Sequence, residues 1–248
     1  MSAHAVANEF AKMRRLRNGL IAAAMVAAVA GLSLLATVTS PAFAAPGGRV
    51  WAVPLAAMSF AVPLASPPLL AVLASRQVDI EHQGGGWLLN QTSGIAPGGL
   101  CRAKFAALGL IVAAATVLES GLVLGAGLLL GIAAPVPAGL WLGFTGCVLV
   151  ANLVLLAVHL LLAALIDNQL VGLGVGLLGT VVAVFAAGLP PALTHTTPWG
   201  YYALAAAAGY QGERLVAFTP AYPSTAALGV LAAVSFVLIT ALFDRRES

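Results

Sequence analysis

The run SGLVLGAGLLLGIAAPVPAGLWLGFTGCVLVANLVLLAVHLLLAALI occupies residues 120–166 and contains no Lys, Arg, Asp or Glu. A bilayer core of about 30 Å is crossed by about 20 apolar residues of helix. The run is therefore long enough for two crossings, and Pro135, Pro137 and Gly139 supply the break between them. Outward from it, residues 18–48, 50–75, 105–118, 168–212 and 215–243 are equally free of charge. Pro41, Pro46, Gly47 and Gly48 close the first of these, Arg76 the second, and Asp167-Asn168-Gln169 and Pro190-Pro191 bound the fifth span. Six spans follow, near 19–40, 50–75, 105–133, 140–166, 170–190 and 223–243. The fold class is all-α integral membrane, a single transmembrane domain over residues 1–248. Composition agrees: 8% of residues are charged, against about 25% in a soluble domain.

Basic residues beside the spans set the direction. With the N-terminus in the cytoplasm, Lys12, Arg14, Arg15, Arg17, Arg76, Arg102, Lys104, Arg245 and Arg246 lie inside, and only Arg49 and Arg214 lie outside. Trp51, Trp141 and Trp199 then fall at outer ends, and Tyr201, Tyr202, Tyr210 and Tyr222 all precede the last span on the outside. Both termini are cytoplasmic in this topology. Lys12–Arg17, an apolar run and Ala42-Phe43-Ala44 imitate a signal peptide, but the run exceeds the usual apolar region of about 7–15 residues and reads as a first span.

Three segments lie outside the spans. Residues 1–18 place Val6, Phe10, Met13 and Leu20 at helical spacing, with Glu9, Lys12 and Arg15 on other faces. Two readings fit: an amphipathic helix along the inner surface, or an ordinary basic flank. Residues 76–104 form the main polar loop, much longer than the roughly two to eight residues that join helices. Its Asp79, Glu81, His82 and Trp87 suit either a short helix docked on a partner protein or a solvated connection between spans, and the length of the loop argues against the second. Residues 195–222 are too aromatic for a free loop and read as short helices in the outer leaflet or over the bundle mouth.

Within the bilayer, Glu119 is the lone acid, and intramembrane charges are expensive and often functional. Counted from Phe105 and Ile166, Glu119 and Asn152 sit at one depth and are candidates for a hydrogen bond between the third and fourth spans. His159 lies about 10 Å nearer the cytoplasm. These three either pack or line a path. Gly121/Gly125, Gly127/Gly131, Gly139/Gly143 and Gly172/Gly176 put small residues on shared helix faces, as helix packing requires. Pro54, Pro63, Pro67 and Pro68 bend the second span, either as a gate element or as an irregularity alone. Cys101 and Cys147 show no metal-ligand spacing and are not expected to pair.

The arrangement resembles the ABC-2 type transporter permeases, in particular the bacterial group that includes lantibiotic-immunity permeases. The resemblance rests on Asn8-Glu9-Phe10-x-Lys12-x-Arg14-Arg15 before the first span. It rests also on Asp79-x-Glu81-His82, Gly86-Trp87 and Arg102-x-Lys104-Phe105 between spans two and three, and on the aromatic, proline-containing segment before the last span. It implies that residues 1–18, with Glu9, Phe10 and Lys12, form a connecting helix. Asp79–Trp87 would be a coupling helix on a separate ATP-binding cassette subunit, and Asp167 a minor contact. Residues 195–222 would be external re-entrant helices. A second permease copy or a sister permease, a bacterial plasma membrane and a role in antimicrobial peptide resistance belong to the same implication. The Gly84–Gly86 run departs from the pattern and leaves the end of the coupling helix open.

No Gly-x-x-x-x-Gly-Lys-Ser/Thr loop occurs, so hydrolysis would belong to the partner and no cofactor is expected. No Gly-x-Ser-x-Gly, His-Glu-x-x-His or paired Glu-Glu motif supports an enzyme. No basic patch interleaved with aromatics lies outside the spans, which argues against nucleic acid. A non-transporting scaffold or accessory subunit and a secondary transporter are the rival readings. The single polar loop after span two spoils the 3+3 repeat that the second would show.

Overall fold

The computed structural model describes residues 3–245; Arg246 lies outside them. The described chain runs α1 (Ala3–Leu16), α2 (Asn18–Thr39), α3 (Pro41–Ala44), α4 (Ala52–Gln83), α5 (Gly86–Thr92), α6 (Pro97–Leu129), α7 (Ala138–Leu165), α8 (Gln169–Phe185), α9 (Pro191–Thr194), α10 (Tyr201–Ala205), the antiparallel pair β1 (Ala208–Gln211) and β2 (Arg214–Ala217), and α11 (Tyr222–Arg245). α2, α4, α6, α7, α8 with its following 3₁₀ turn, and α11 are the six helices long and apolar enough to span. Helix satisfies every backbone donor within the segment, which a lipid environment demands.

α4 is the central helix. It packs on α2, α7 and α8, and 67% of its most apolar window is buried, against 11% for the peripheral α11. Pro63, Pro67 and Pro68 lie inside α4 and withdraw three helical donors within two turns. α11 is held at one end by α6. Gly98 lets the Thr240 carbonyl approach to a place that any Cβ would occupy. Arg102 Nη2 reaches Asp244 Oδ2 at 2.9 Å and Nη1 donates to Thr240 Oγ1 at 3.0 Å. That end of the bundle also carries α1 and α5 and is called the basic end below. The opposite, aromatic end carries Trp51 and Trp141, edge to face at 5.6 Å.

Four expectations change. The second span does not stop at Arg76: α4 continues to Gln83, because its polar extension finds partners on α1 and α6. The third helix begins at Pro97, eight residues before Phe105. The segment 195–222 contains a two-stranded hairpin besides α10, turning on Gly212, whose φ is +62°. Of the glycine pairs, Gly172/Gly176 packs against Ser75 and Ala71 of α4 and Gly127/Gly131 against Trp51 and Arg49, whereas Gly139, Gly121 and Gly125 face open space. α1 is a helix, but its inward face carries Ala5, Glu9 and Met13 while Phe10 is exposed. Cys101 and Cys147 are free and buried.

Candidate functional site

At the basic end, α1, α4 and α6 converge on one buried ion cluster. Glu9 projects from α1, Gln77 and Glu81 lie one turn apart on α4, and Lys104 projects from α6. Lys104 is fully buried, and its ammonium spends all three donors: on Glu9 Oε2 at 2.8 Å, Glu81 Oε1 at 2.7 Å and the Gln77 carbonyl at 2.8 Å. Lys12 bridges the same carboxylates from the rim, to Glu9 Oε1 at 2.7 Å and Glu81 Oε1 at 2.6 Å. Gln77 Nε2 donates to Glu9 Oε2 at 2.8 Å, and Gln77 Oε1 accepts from Asn18 Nδ2 of α2 at 2.6 Å. Two carboxylates and two ammonium groups balance, which is what permits so much charge in a buried place. Burial alone would lower the Lys12 ammonium, but its hydrogen bonds and charge contacts with Glu81 and Glu9 outweigh that and raise it above the ordinary 10.5.

The cluster grips α5. Asn90 Nδ2 donates to Glu81 Oε2 at 3.1 Å and to the Gly86 carbonyl at 2.7 Å. Gly85, with φ +60°, makes the turn from α4 into α5. Trp87 is half-buried, its indole N–H donating to His82 Nδ1 at 3.2 Å. The helix then turns Leu88 and Leu89 outward, 68% and 67% exposed. Asp79 is half-buried and accepts from Gln83, and Asp167 stands 83% exposed in the α7–α8 loop, 2.9 Å from His82. The structure therefore brings Glu9, Lys12 and Glu81 into the cluster, and His82, Trp87 and Asp167 into a second group beside it. Glu81 faces inward rather than outward, and offers no surface to a docked partner.

Gln77, Asn18 and Asn90 have no place in the sequence reading of this site, and Lys104 enters it only as an inner basic residue and as part of the Arg102-x-Lys104-Phe105 motif. Their signal was spacing: Gln77 and Glu81 four apart on one helix face, opposite a lysine at the mouth of an apolar run. Leu88 and Leu89 carried a weaker one, two apolar residues in an otherwise polar loop.

Deeper in the bundle, Glu119 and Asn152 do not bond to each other. Asn152 Nδ2 donates to Thr116 Oγ1 at 2.9 Å, and Asn152 Oδ1 accepts from Tyr202 Oη of α10 at 2.6 Å. The partner of Asn152 on α6 is thus Thr116, about one turn nearer Pro97 than Glu119. Glu119 is 1% exposed, and neither carboxyl oxygen has a hydrogen-bond partner among the described residues. Both His159 nitrogens are likewise unpartnered, and the ring meets Trp199 at 6.2 Å. An unsatisfied buried polar group costs about 1–3 kcal/mol. Glu119→Met is accordingly expected to raise stability by about that amount, read as a higher melting temperature in detergent; an unchanged or lower value contradicts it.

A cavity of about 780 Å³ opens near the aromatic end between α2, α4, α8 and the hairpin, lined by Phe60, Pro63, Leu204 and Phe218 with Ser59 and Tyr210 as its polar edge. No three His, Cys, Asp or Glu side chains are grouped to hold a metal among the described residues.

A search of the curated proteins found no match to this chain. The family model described as ABC-2 family transporter protein matches residues 5–183. That stretch takes in α1 to α7 and most of α8, and so the ion cluster, α5 and His82. The chain belongs to the ABC-2 transporter family, as a multi-pass membrane permease component of an ABC exporter.

Proposed function

We propose that this chain is driven by a separate ATP-binding cassette subunit that grips α5 from the cytosol. The observation that carries the reading is the setting of α5: a short helix with an exposed Leu88–Leu89 tip, pinned to the ends of α1, α4 and α6 by a buried ion cluster. A push on such a tip reaches α4, the central helix, through the Asn90–Glu81 hydrogen bond that ties α5 back across the Gly84–Gly86 turn. Trp87, Leu88 and Leu89 form the main contact, and Asp79 and Asp167 flank it. α1 acts as the connecting helix, with Glu9 and Lys12 binding it to the bundle and Phe10 on its outer face. Glu81 anchors the handle from within.

In this reading the basic end faces the cytoplasm of a bacterium, the aromatic end faces outside, and the permease works in pairs, with a second copy or a sister chain. The outer cavity falls within the size range of ligand sites, about 300–1,000 Å³, and its apolar wall with a polar edge suits an amphiphilic cargo such as a membrane-active peptide. The test is co-purification: wild-type permease retains the ATP-binding subunit, and Leu88→Asp/Leu89→Asp loses it. Equal retention by both removes the assignment.

A further inference from the structure

His82 stands where three elements meet. Its Nε2 lies 2.9 Å from the Ala163 carbonyl at the end of α7. Two partners converge on the other ring nitrogen: the Trp87 indole N–H of α5 at 3.2 Å and Asp167 Oδ1 of the α7–α8 loop at 2.9 Å. An indole N–H only donates, and a carboxylate only accepts. Nδ1 must therefore hold a lone pair to take the Trp87 bond and a proton to serve Asp167. The neutral ring, protonated on Nε2, satisfies Ala163 and Trp87. The imidazolium satisfies Ala163 and Asp167. The bond to Ala163 is common to both forms, so the ring is held in place while its second partner changes.

The surroundings bear on the charged form from every side. The groove at His82 is lined by Asp79 and Ser75 of α4, by Leu162, Ala163 and Ile166, and by Asp167, Asn168 and Gln169. Its titratable neighbours are thus two acids, Asp79 and Asp167, with no cation among the lining residues. α5 carries no charge, and neighbouring Glu81 is turned away to Lys12 and Lys104.

We propose that His82 is a positioning residue that holds the two cytosolic handles alternately: neutral, it holds α5 through Trp87; protonated, it releases Trp87, leaving α5 on the Asn90–Glu81 bond, and holds the α7–α8 loop through Asp167. The inference rests on the reading of those two segments as the ATPase contacts, but the exchange itself requires only the permease chain. It makes the stiffness of the handle depend on local proton or charge conditions, including any charge that a docked subunit brings near the ring.

Amide hydrogen exchange of the purified permease in nanodiscs tests it. His82→Lys can donate but not accept, so protection of residues 86–92 is expected to fall about fivefold, the factor that loss of one hydrogen bond gives. Protection of residues 166–170 rises over the same comparison. His82→Gln, whose amide donates and accepts at once, keeps both segments protected. Taking the wild type from about pH 8 to about pH 6, across the range where imidazoles titrate, and correcting for intrinsic rates, reproduces the opposed changes of His82→Lys. His82→Gln does not respond. Loosening of both segments in His82→Lys, or no opposed change in the wild type, overturns the proposal and leaves His82 as packing alone. Lost opposition with subunit binding intact removes only this inference; lost subunit binding by itself concerns the handle assignment.

Discussion

Lys104→Met is expected to lower the stability of the permease by about 3–5 kcal/mol, the range for removing one partner from a buried charge pair. Methionine fills much of the same volume, so the loss is electrostatic rather than a cavity effect. Among the described residues, the ammonium alone touches Glu9, Glu81 and the Gln77 carbonyl together. Without it, two buried carboxylates share Lys12, whose side chain is 26% exposed and less effective through solvent screening. The measurement is thermal unfolding in detergent, with a fall of about 10 °C at this chain length. Restoring charge balance gives the control. Glu9→Gln added to Lys104→Met leaves one carboxylate facing Lys12 and is expected to recover about 2 kcal/mol through non-additivity of neighbouring sites. If Lys104→Met melts like the wild type, the cluster does not hold the basic end together.

Leu88→Asp/Leu89→Asp is expected to weaken binding of the ATP-binding subunit by about 30-fold or more, the equivalent of losing a hot spot of about 2 kcal/mol. Both side chains project from α5, so the substitutions should leave the melting temperature within the small range of surface changes, about 0.5 kcal/mol either way. The pairing of a large binding effect with a small stability effect is the signature sought. Glu81→Ala is the contrasting case. Its carboxylate is buried in the cluster, so that variant is expected to lose stability before it can report on binding.

Much of this architecture was legible because lipid imposes a hard rule: uncharged runs of sufficient length, punctuated by proline and glycine, become spans. The errors fall where that rule stops applying. Charge marks where a helix leaves the membrane, not where it ends, so Arg76 was read as the end of α4 although the helix carries on for two turns. The same rule puts the start of α6 at Phe105 rather than Pro97, and counting residues from a span's end is too coarse to choose between Glu119 and Thr116, one turn apart, as the partner of Asn152. The hairpin had a local signature, Gly212-Glu213 between Ala208–Gln211 and Arg214–Ala217, but its strands are short and set in a membrane-like composition. The functional group at the basic end was half legible. Glu81, His82 and Trp87 stand out by type and position, whereas Glu9, Lys12 and Asp167 enter only through what the family resemblance implies. That Glu81 faces inward and Leu88 outward depends on the turn at Gly85, which one sequence does not orient.

Coupling to ATP hydrolysis requires that a cytosolic motor hold α5. A photo-reactive benzophenone side chain placed at position 88, in membranes that contain the permease and its ATP-binding subunit, tests this most directly. We predict an adduct between position 88 and the ATP-binding subunit, formed from the cytosolic side and lost when Leu89 is also replaced by Asp. Adducts to lipid alone, or labelling of position 88 by an impermeant reagent added outside the cell, would contradict it.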